Sequence, residues 1–180
     1  MFRIQHRRRR EERTDFGQRL AQLKSGEARV VIRRSLYGVN VQFIKYKKEG
    51  DQVVCVAGSS DLKKLGWKAP IGNLPAAYLI GMIAGAKAKK AGVSSAIADM
   101  GLYRSTKGSR LYATLKGVID AGVNVPHSKE IFPSDERIKG KHIADYASAA
   151  DKAMFSKYSA AGVKPQDIAK HFEEVKMKIK

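Results

Sequence analysis

The chain has 180 residues, 43% of them hydrophobic, with 35 lysines and arginines against 17 acids and a formal net charge of +18. That length and apolar content fit one domain with a true core, burying roughly 70% of its unfolded surface, and exclude a chain that is disordered throughout. The charge excludes an electrostatically neutral role and asks for a polyanion to relieve self-repulsion, nucleic acid first and an anionic membrane surface second.

In chain order, residues 1–28 form a basic arm. "RIQHRRRREER" shows no hydrophobic face. Asp15 and Gln18 have capping-box spacing, and Phe16, Leu20 and Leu23 recur at helical intervals, which predicts a short amphipathic helix. Residues 29–57 predict a three-stranded antiparallel meander, "RVVIRRSL", "VNVQFIKYK" and "QVVCVA", joined by turns at "YG" and "KEGD". "SSDLKKLGWKAPIGNL" reads as a polar connection. A helix follows over about 75–91, with Pro75 in its first turn and Gly92 past its end. Gly81, Ala84, Gly85 and Ala88 make one side of it very small, which suits close packing on a sheet. "SSAIADM" is a fourth strand, reached through a helix and so expected to be parallel to a neighbour. After the loop "DMGLYRSTKGSR", a helix over about 109–121 is capped by Ser109 and ended by Gly122. A linker over 126–139 leads to a helical appendage, 140–180. One of its stripes is Ile143, Tyr146, Ala147, Ala150 and Met154, and the other is Ile168, Phe172, Val175 and Ile179. The expected domains are the arm 1–28, a mixed core 29–125, the linker and the appendage. The expected class is α/β (α+β): a small mixed sheet, with three antiparallel strands and one parallel, covered by helices.

Enzyme motifs are thin. The chain holds no phosphate-binding G-x-x-x-x-G-K-[ST], no G-x-G-x-x-G after a strand and no G-x-S-x-G. Asp99 lies near Lys107 and Arg110 in sequence, but nothing else assembles a catalytic set, so an ordinary strand-end carboxylate satisfied by loop amides or an arginine is the better reading. The lone Cys55 excludes an intramolecular disulfide and reads as a small buried hydrophobe. His6, His127, His142 and His171 lack metal-ligand spacing, so no metal and no cofactor are expected. The longest uncharged stretch, 69–86, is broken by Pro70, Asn73 and Pro75 and is too short in its firmly apolar part to span a bilayer. The charged start has no apolar run behind it, so a cytoplasmic location is expected.

Basic patches carry the stronger signal. Arg7, Arg8, Arg9 and Arg10 are consecutive, flanked by Arg3, His6 and Arg13, with Arg19 on the following helix. Guanidinium forks match phosphate oxygens in bidentate geometry. A nuclear-import signal or a solvated terminus are blander accounts of the run. On the sheet, Arg33 and Arg34 lie with Arg29, while Lys45, Lys47 and Lys48 close the second strand. Ser35, Tyr37, Asn40 and Gln42 add stacking and hydrogen bonding; a solvated face edged with lysines is the alternative. The third patch is the loop 99–110. Tyr103, Arg104, Lys107 and Arg110 bring charge and an aromatic ring, and Ser105, Thr106 and Ser109 bring hydroxyls. Gly101 and Gly108 permit close backbone approach, and a helix N-terminus follows. That loop suits a phosphate, from a nucleotide-using enzyme's ligand or from a nucleic-acid backbone.

"RRRREERTDFGQRLAQLKSGEARVVIRRSLYGVNVQFI" resembles the N-terminal half of the large-subunit ribosomal protein family called L-eighteen, the 5S-rRNA-binding proteins, in its archaeal form. "LPAAYLIGMIAGAKAKKAG", "AIADMGLYRSTKGSRLYATLKGVIDAGVNVPHS" and "FPSDERIKGKHI" resemble the same family in the same order, so the likeness runs to about Tyr146. The resemblance implies a structural constituent of the large ribosomal subunit that is not an enzyme. Its implied partners are 5S rRNA, the large-subunit rRNA and neighbouring ribosomal proteins of the central protuberance, with no small-molecule substrate. It implies RNA contacts at Arg3 to Arg13, at Arg33, Arg34 and Ser35, and from Tyr103 to Arg110. A general basic DNA-binding protein and a nucleotide-binding enzyme with its phosphate loop at 101–110 stand as alternatives.

Overall fold

A computed structural model describes residues 4–149 and 152–179. Arg3 and Ala150, named above, lie outside the described residues. The meander forms as expected: β1 (Ala28–Arg34), β2 (Val39–Lys45) and β3 (Gln52–Ala57) are antiparallel neighbours, and β4 (Ala96–Asp99) pairs with β1 in parallel, giving the order β3-β2-β1-β4. Period-2 alternation sorts the residues. Val30 and Ile32 of β1, and Val39, Val41 and Phe43 of β2, enter the main core. Arg29, Val31 and Arg33 point the other way, in register with Ile44, Gln42 and Asn40. The inner face is covered by helices and the outer face carries the arginines.

A helix, α4 (Leu74–Lys90), dominates the inner face. Asn73 caps it, accepting from the Ala76 N–H at 2.9 Å, and Pro75 sits in the first turn. Its burial extends around most of its circumference, which explains why its apolar pattern shows no strong single stripe. The helix α5 (Arg110–Asp120) lies against it. Gly81 and Gly85 of the small side of α4 pack on α5, where the sequence suggests close packing on the sheet. A Cβ at Gly81 would overlap the Thr114 carbonyl, one at Gly85 would crowd Val118 and Ala121, and one at Gly117 would overlap the Tyr78 carbonyl. Glycine is needed there because the two backbones touch. The Tyr78 hydroxyl donates to Asp120 at 2.7 Å, and burial, then Asp120, push its pKa up.

The connection 58–73 contains a helix that its polar composition does not announce, α3 (Ser59–Lys64), whose Asp61 reaches back to accept from the Gly58 N–H at 3.1 Å. The signal for it is a carboxylate three residues past a cap position, ahead of the buried Leu62. Ser109 stands at the start of α5, but its hydroxyl is buried without a hydrogen-bond partner among the described residues, so the expected side-chain cap is not made. Cys55 lies half-buried on β3, packed against the core, and burial pushes its thiol pKa up.

After α5 the chain carries a 3-10 turn (Lys129–Ile131), α6 (Asp135–Lys139) and α7 (Lys141–Ala149). Beyond the undescribed pair come α8 (Ser156–Ala160) and α9 (Ile168–Met177). Ile138 of α6 is buried against the core. The stripe Ile168, Phe172, Val175 and Ile179 is wholly buried in the same cluster as the sheet residues. Phe172 meets Tyr78 at 5.7 Å between ring centroids, and Trp67 stacks on His171 at 4.9 Å. The earlier stripe is only partly realised: Ile143 is half-buried, while Tyr146 and Met154 are exposed. No helix among the described residues is long and apolar enough to cross a membrane.

Candidate nucleic-acid interface

The outer face of the sheet is bridged by the arm. One turn of helix, α1 (Arg7–Arg10), precedes α2 (Phe16–Leu23). Asp15 accepts from the Gln18 N–H at 3.0 Å, and that cap fixes the start of α2. Two side chains clamp the helix to the sheet: Arg19 donates to Asp51 at 2.8 Å, and Gln22 donates to the Ala98 carbonyl at 3.3 Å. Gln18, Arg19 and Gln22 of α2 line the same groove as Val31 and Ile44, which are buried although they lie on the outer face.

Beneath α2 lies an ionic network. Arg29 is 4% exposed and donates to Asp99 at 3.0 Å and to Asp51 at 2.7 Å. Arg33 donates to the other Asp99 oxygen at 3.0 Å and to the carbonyls of Asp99 and Ile32 at 2.8 and 3.0 Å. The Gly101 N–H completes Asp99 at 2.9 Å. This is the strand-end carboxylate satisfied by arginines and a loop amide. Gly101 has φ +60, and the Arg33 guanidinium lies 3.0 Å from where a Cβ would be, so its close approach serves an arginine of the same chain. A groove of about 440 Å³ opens above the network, bounded by Arg8, Arg13 and Arg19 from the arm, Arg33 from β1, and Leu102 and Tyr103 from the loop.

The predicted contact residues divide by what they already touch. His6 precedes α1 without a side-chain cap bond, and Arg7, Arg8, Arg9 and Arg10 are exposed. Local bonds steady the turn: Arg8 donates to Thr14 at 2.9 Å, and Arg13 pairs with Glu11 at 3.2 Å. Asn40 and Gln42 lie on the outer face of β2. The Arg34 guanidinium sits 5.2 Å from the ring centroid of Tyr103, whose hydroxyl donates to the Arg34 carbonyl at 2.7 Å. Ser35 holds the β1–β2 turn. Within the loop, Arg104 and Thr106 are exposed, and Lys107 pairs loosely with Glu130 at 3.5 Å, both side chains largely in solvent. Ser105 is hydrogen-bonded to the Tyr112 hydroxyl, and Arg110 donates to the Gly72 carbonyl at 3.0 Å. Gly108 has φ +70 and donates its N–H to the Ile131 carbonyl at 2.9 Å. Arg29 and Asp51 organise the face, yet no sequence motif marks them as site residues. The parity of Arg29, Val31 and Arg33 along β1 is the available signal for the first, and nothing in the spacing marks the second.

An arginine-lined sheet face, a basic arm tied across it and a basic loop at its end define a small α/β protein of the class that meets polyanions. A sequence model of the family described as "Ribosomal large subunit proteins 60S L5, and 50S L18" matches residues 1–95 and 86–128. A "Large ribosomal subunit protein uL18" of Korarchaeum cryptofilum is 51% identical over 179 residues, covering 97% of this chain and 92% of that protein. A protein of the same description from Methanococcus maripaludis is 47% identical over 184 residues, covering 99% and 95%. The chain belongs to this family of large-subunit ribosomal proteins.

Proposed function

We propose that this protein binds 5S rRNA and attaches it to the large-subunit rRNA in the central protuberance, beside neighbouring ribosomal proteins. The observation that carries the reading is the division of labour among the arginines. Arg29 is spent on Asp51 and Asp99 inside the fold, and Arg33, its side chain 43% exposed, is anchored on Asp99 while still open to solvent. Arg9, Arg10 and Arg104 are exposed, in the arm and the loop that flank this face. The first group builds a rigid face and the second group is available to phosphates. In this reading residues 1–28 are the RNA-binding arm, 29–125 the core that positions it, and the C-terminal helices a brace behind α4. The candidate contacts are Arg3, His6, Arg7 to Arg10, Arg13 and Arg19 from the arm, Arg33 to Ser35 with Asn40 and Gln42 from the sheet, and Tyr103 to Gly108 with Arg110 from the loop.

The test is a titration of the full chain with 5S rRNA across salt concentrations. Replacing Arg7 to Arg10 together by alanine should weaken binding and flatten the log–log salt dependence by about three units, at roughly 0.7–0.9 for each phosphate no longer neutralised. An unchanged slope would remove the arm from the interface. Titration with ATP, GTP and NAD at one salt concentration examines the loop separately. Tight mononucleotide binding abolished by Lys107→Glu, with 5S affinity intact, would overturn the RNA reading of residues 101–110.

A further inference from the structure

The β1–β2 turn carries two side chains that the fold does not use. Leu36 is 86% exposed and Tyr37 is 79% exposed. Hairpin tips are ordinarily built from glycine, asparagine, aspartate and serine, so a leucine and a tyrosine in water ask for a partner. The turn that presents them is rigid. The Ser35 N–H donates to the Gly38 carbonyl at 2.8 Å, and the Tyr37 N–H donates to the Ser35 hydroxyl at 3.2 Å. Gly38 is buried against Ser59 and Ile71, and the Leu36 carbonyl lies against Gly72, so the tip is held from both sides. A platform fixed in advance loses little conformational freedom on binding.

Its surroundings select the partner. Arg34, at the end of β1, stacks over Tyr103 of the phosphate-suited loop, and Arg104 beside Tyr103 is exposed. Asp61 of α3, the helix whose Ser59 packs against Gly38, is already paired with Lys87 at 3.0 Å. An exposed aromatic ring three residues from the exposed Arg34 complements a splayed base with its phosphate. Base pairs inside a regular duplex do not offer a free face to a ring, whereas loops and bulges do.

We propose that Tyr37 is a stacking platform for one unpaired base of 5S rRNA, with Leu36 supplying adjoining apolar surface and Arg34 a counter-charge. This rests on the 5S reading above and adds a contact of a different kind to the phosphate contacts there. The full chain should be titrated with 5S rRNA, and separately with large-subunit rRNA, as wild type and as Tyr37→Ala, Tyr37→Leu and Tyr37→Phe. Stacking on an aromatic ring predicts a loss of roughly 5- to 150-fold for Ala and Leu, recovery with Phe, and a salt slope equal to wild type, because every phosphate contact remains. Thermal melts should be unchanged, since the ring packs on little. Crosslinking of 4-thiouridine-substituted 5S rRNA should reach the turn peptide. Wild-type affinity in all three variants overturns the platform while leaving the 5S reading standing. Absence of 5S binding by the wild-type chain overturns both. Loss seen only with large-subunit rRNA overturns the assigned source. Unaltered RNA affinity with failed incorporation into the large subunit assigns the tip to a protein partner and also overturns the proposal.

Discussion

Among single residues, chemically identical side chains have opposite jobs. Arg29 and Arg33 lie on the same face of β1 and share Asp99, yet Arg29 is enclosed while the Arg33 side chain is 43% exposed. Removing one member of a buried ion pair leaves the other charged and desolvated, which costs about 3–5 kcal/mol. Arg29→Ala should destabilise the protein by less than that, about 1–3 kcal/mol in denaturant unfolding, because Arg33 and the Gly101 N–H still hold Asp99 and Arg19 still pairs with Asp51. Arg33→Ala should cost about 1 kcal/mol or less, because water screens the exposed pair and Arg29 still holds Asp99. Equal losses would show that the network is not divided in this way. The same reasoning separates the arginines of α1, which touch little and should hardly affect stability, from those that build the face. Gly101 follows the same pattern. Its lack of a side chain suggests room for a phosphate, and the group it admits is the Arg33 guanidinium.

Among the elements, the contact between α4 and α5 sets the thickness of the helical layer. Gly81, Gly85 and Gly117 let the two backbones meet, and the apolar faces on either side close over the contact. A methyl at Gly81 or Gly117 has no flexible side chain to displace, only backbone of the facing helix. Gly81→Ala and Gly117→Ala should each cost about 1–3 kcal/mol through overpacking, although alanine is the better helix former by about 1 kcal/mol. Thermal melting should fall by about 2–4 °C for each kcal/mol in a chain of this size. A variant as stable as wild type would mean that the helices slide apart without cost. Loop 101–110 leads directly into α5, so movement of that helix would also displace Tyr103 and Arg104, and the RNA titration provides a second readout.

Across the whole molecule, a charge of +18 acts on every part of the fold at once. The free protein holds this charge together against self-repulsion, with ion pairs such as Arg19–Asp51 and Arg29–Asp51 offsetting it locally. Added monovalent salt shortens the screening length from about 10 Å at 0.1 M to about 3 Å at 1 M. Melting temperature of the protein without RNA should thus rise with salt over that range, while its affinity for RNA falls. Melting that drops as salt is added would show that the ion pairs outweigh the net repulsion. The two opposite salt responses belong to one charge distribution, which is held at a cost when free and compensated when bound.

The strands of the meander, the parallel fourth strand, the two central helices and the buried stripe of α9 are all legible in the linear chain. Each depends on local periodicity or on a turn residue at a defined offset, and such signals are written in neighbouring positions. The composition likewise points to a polyanionic partner, and "MGLYRSTKGSR" marks one end of the candidate face. Which arginines are available is another matter, because it depends on contacts between distant residues. Arg29 meets Asp99 across 70 positions and Asp51 across 22, and no spacing rule connects them. Folding also settles that the glycines of α4 face a helix and not the sheet, because smallness records a close approach without naming the neighbour. Ile138 and the α9 stripe join the same core as β1 and β2 for a similar reason: an amphipathic stripe specifies burial, and only the packed chain supplies the surface that buries it.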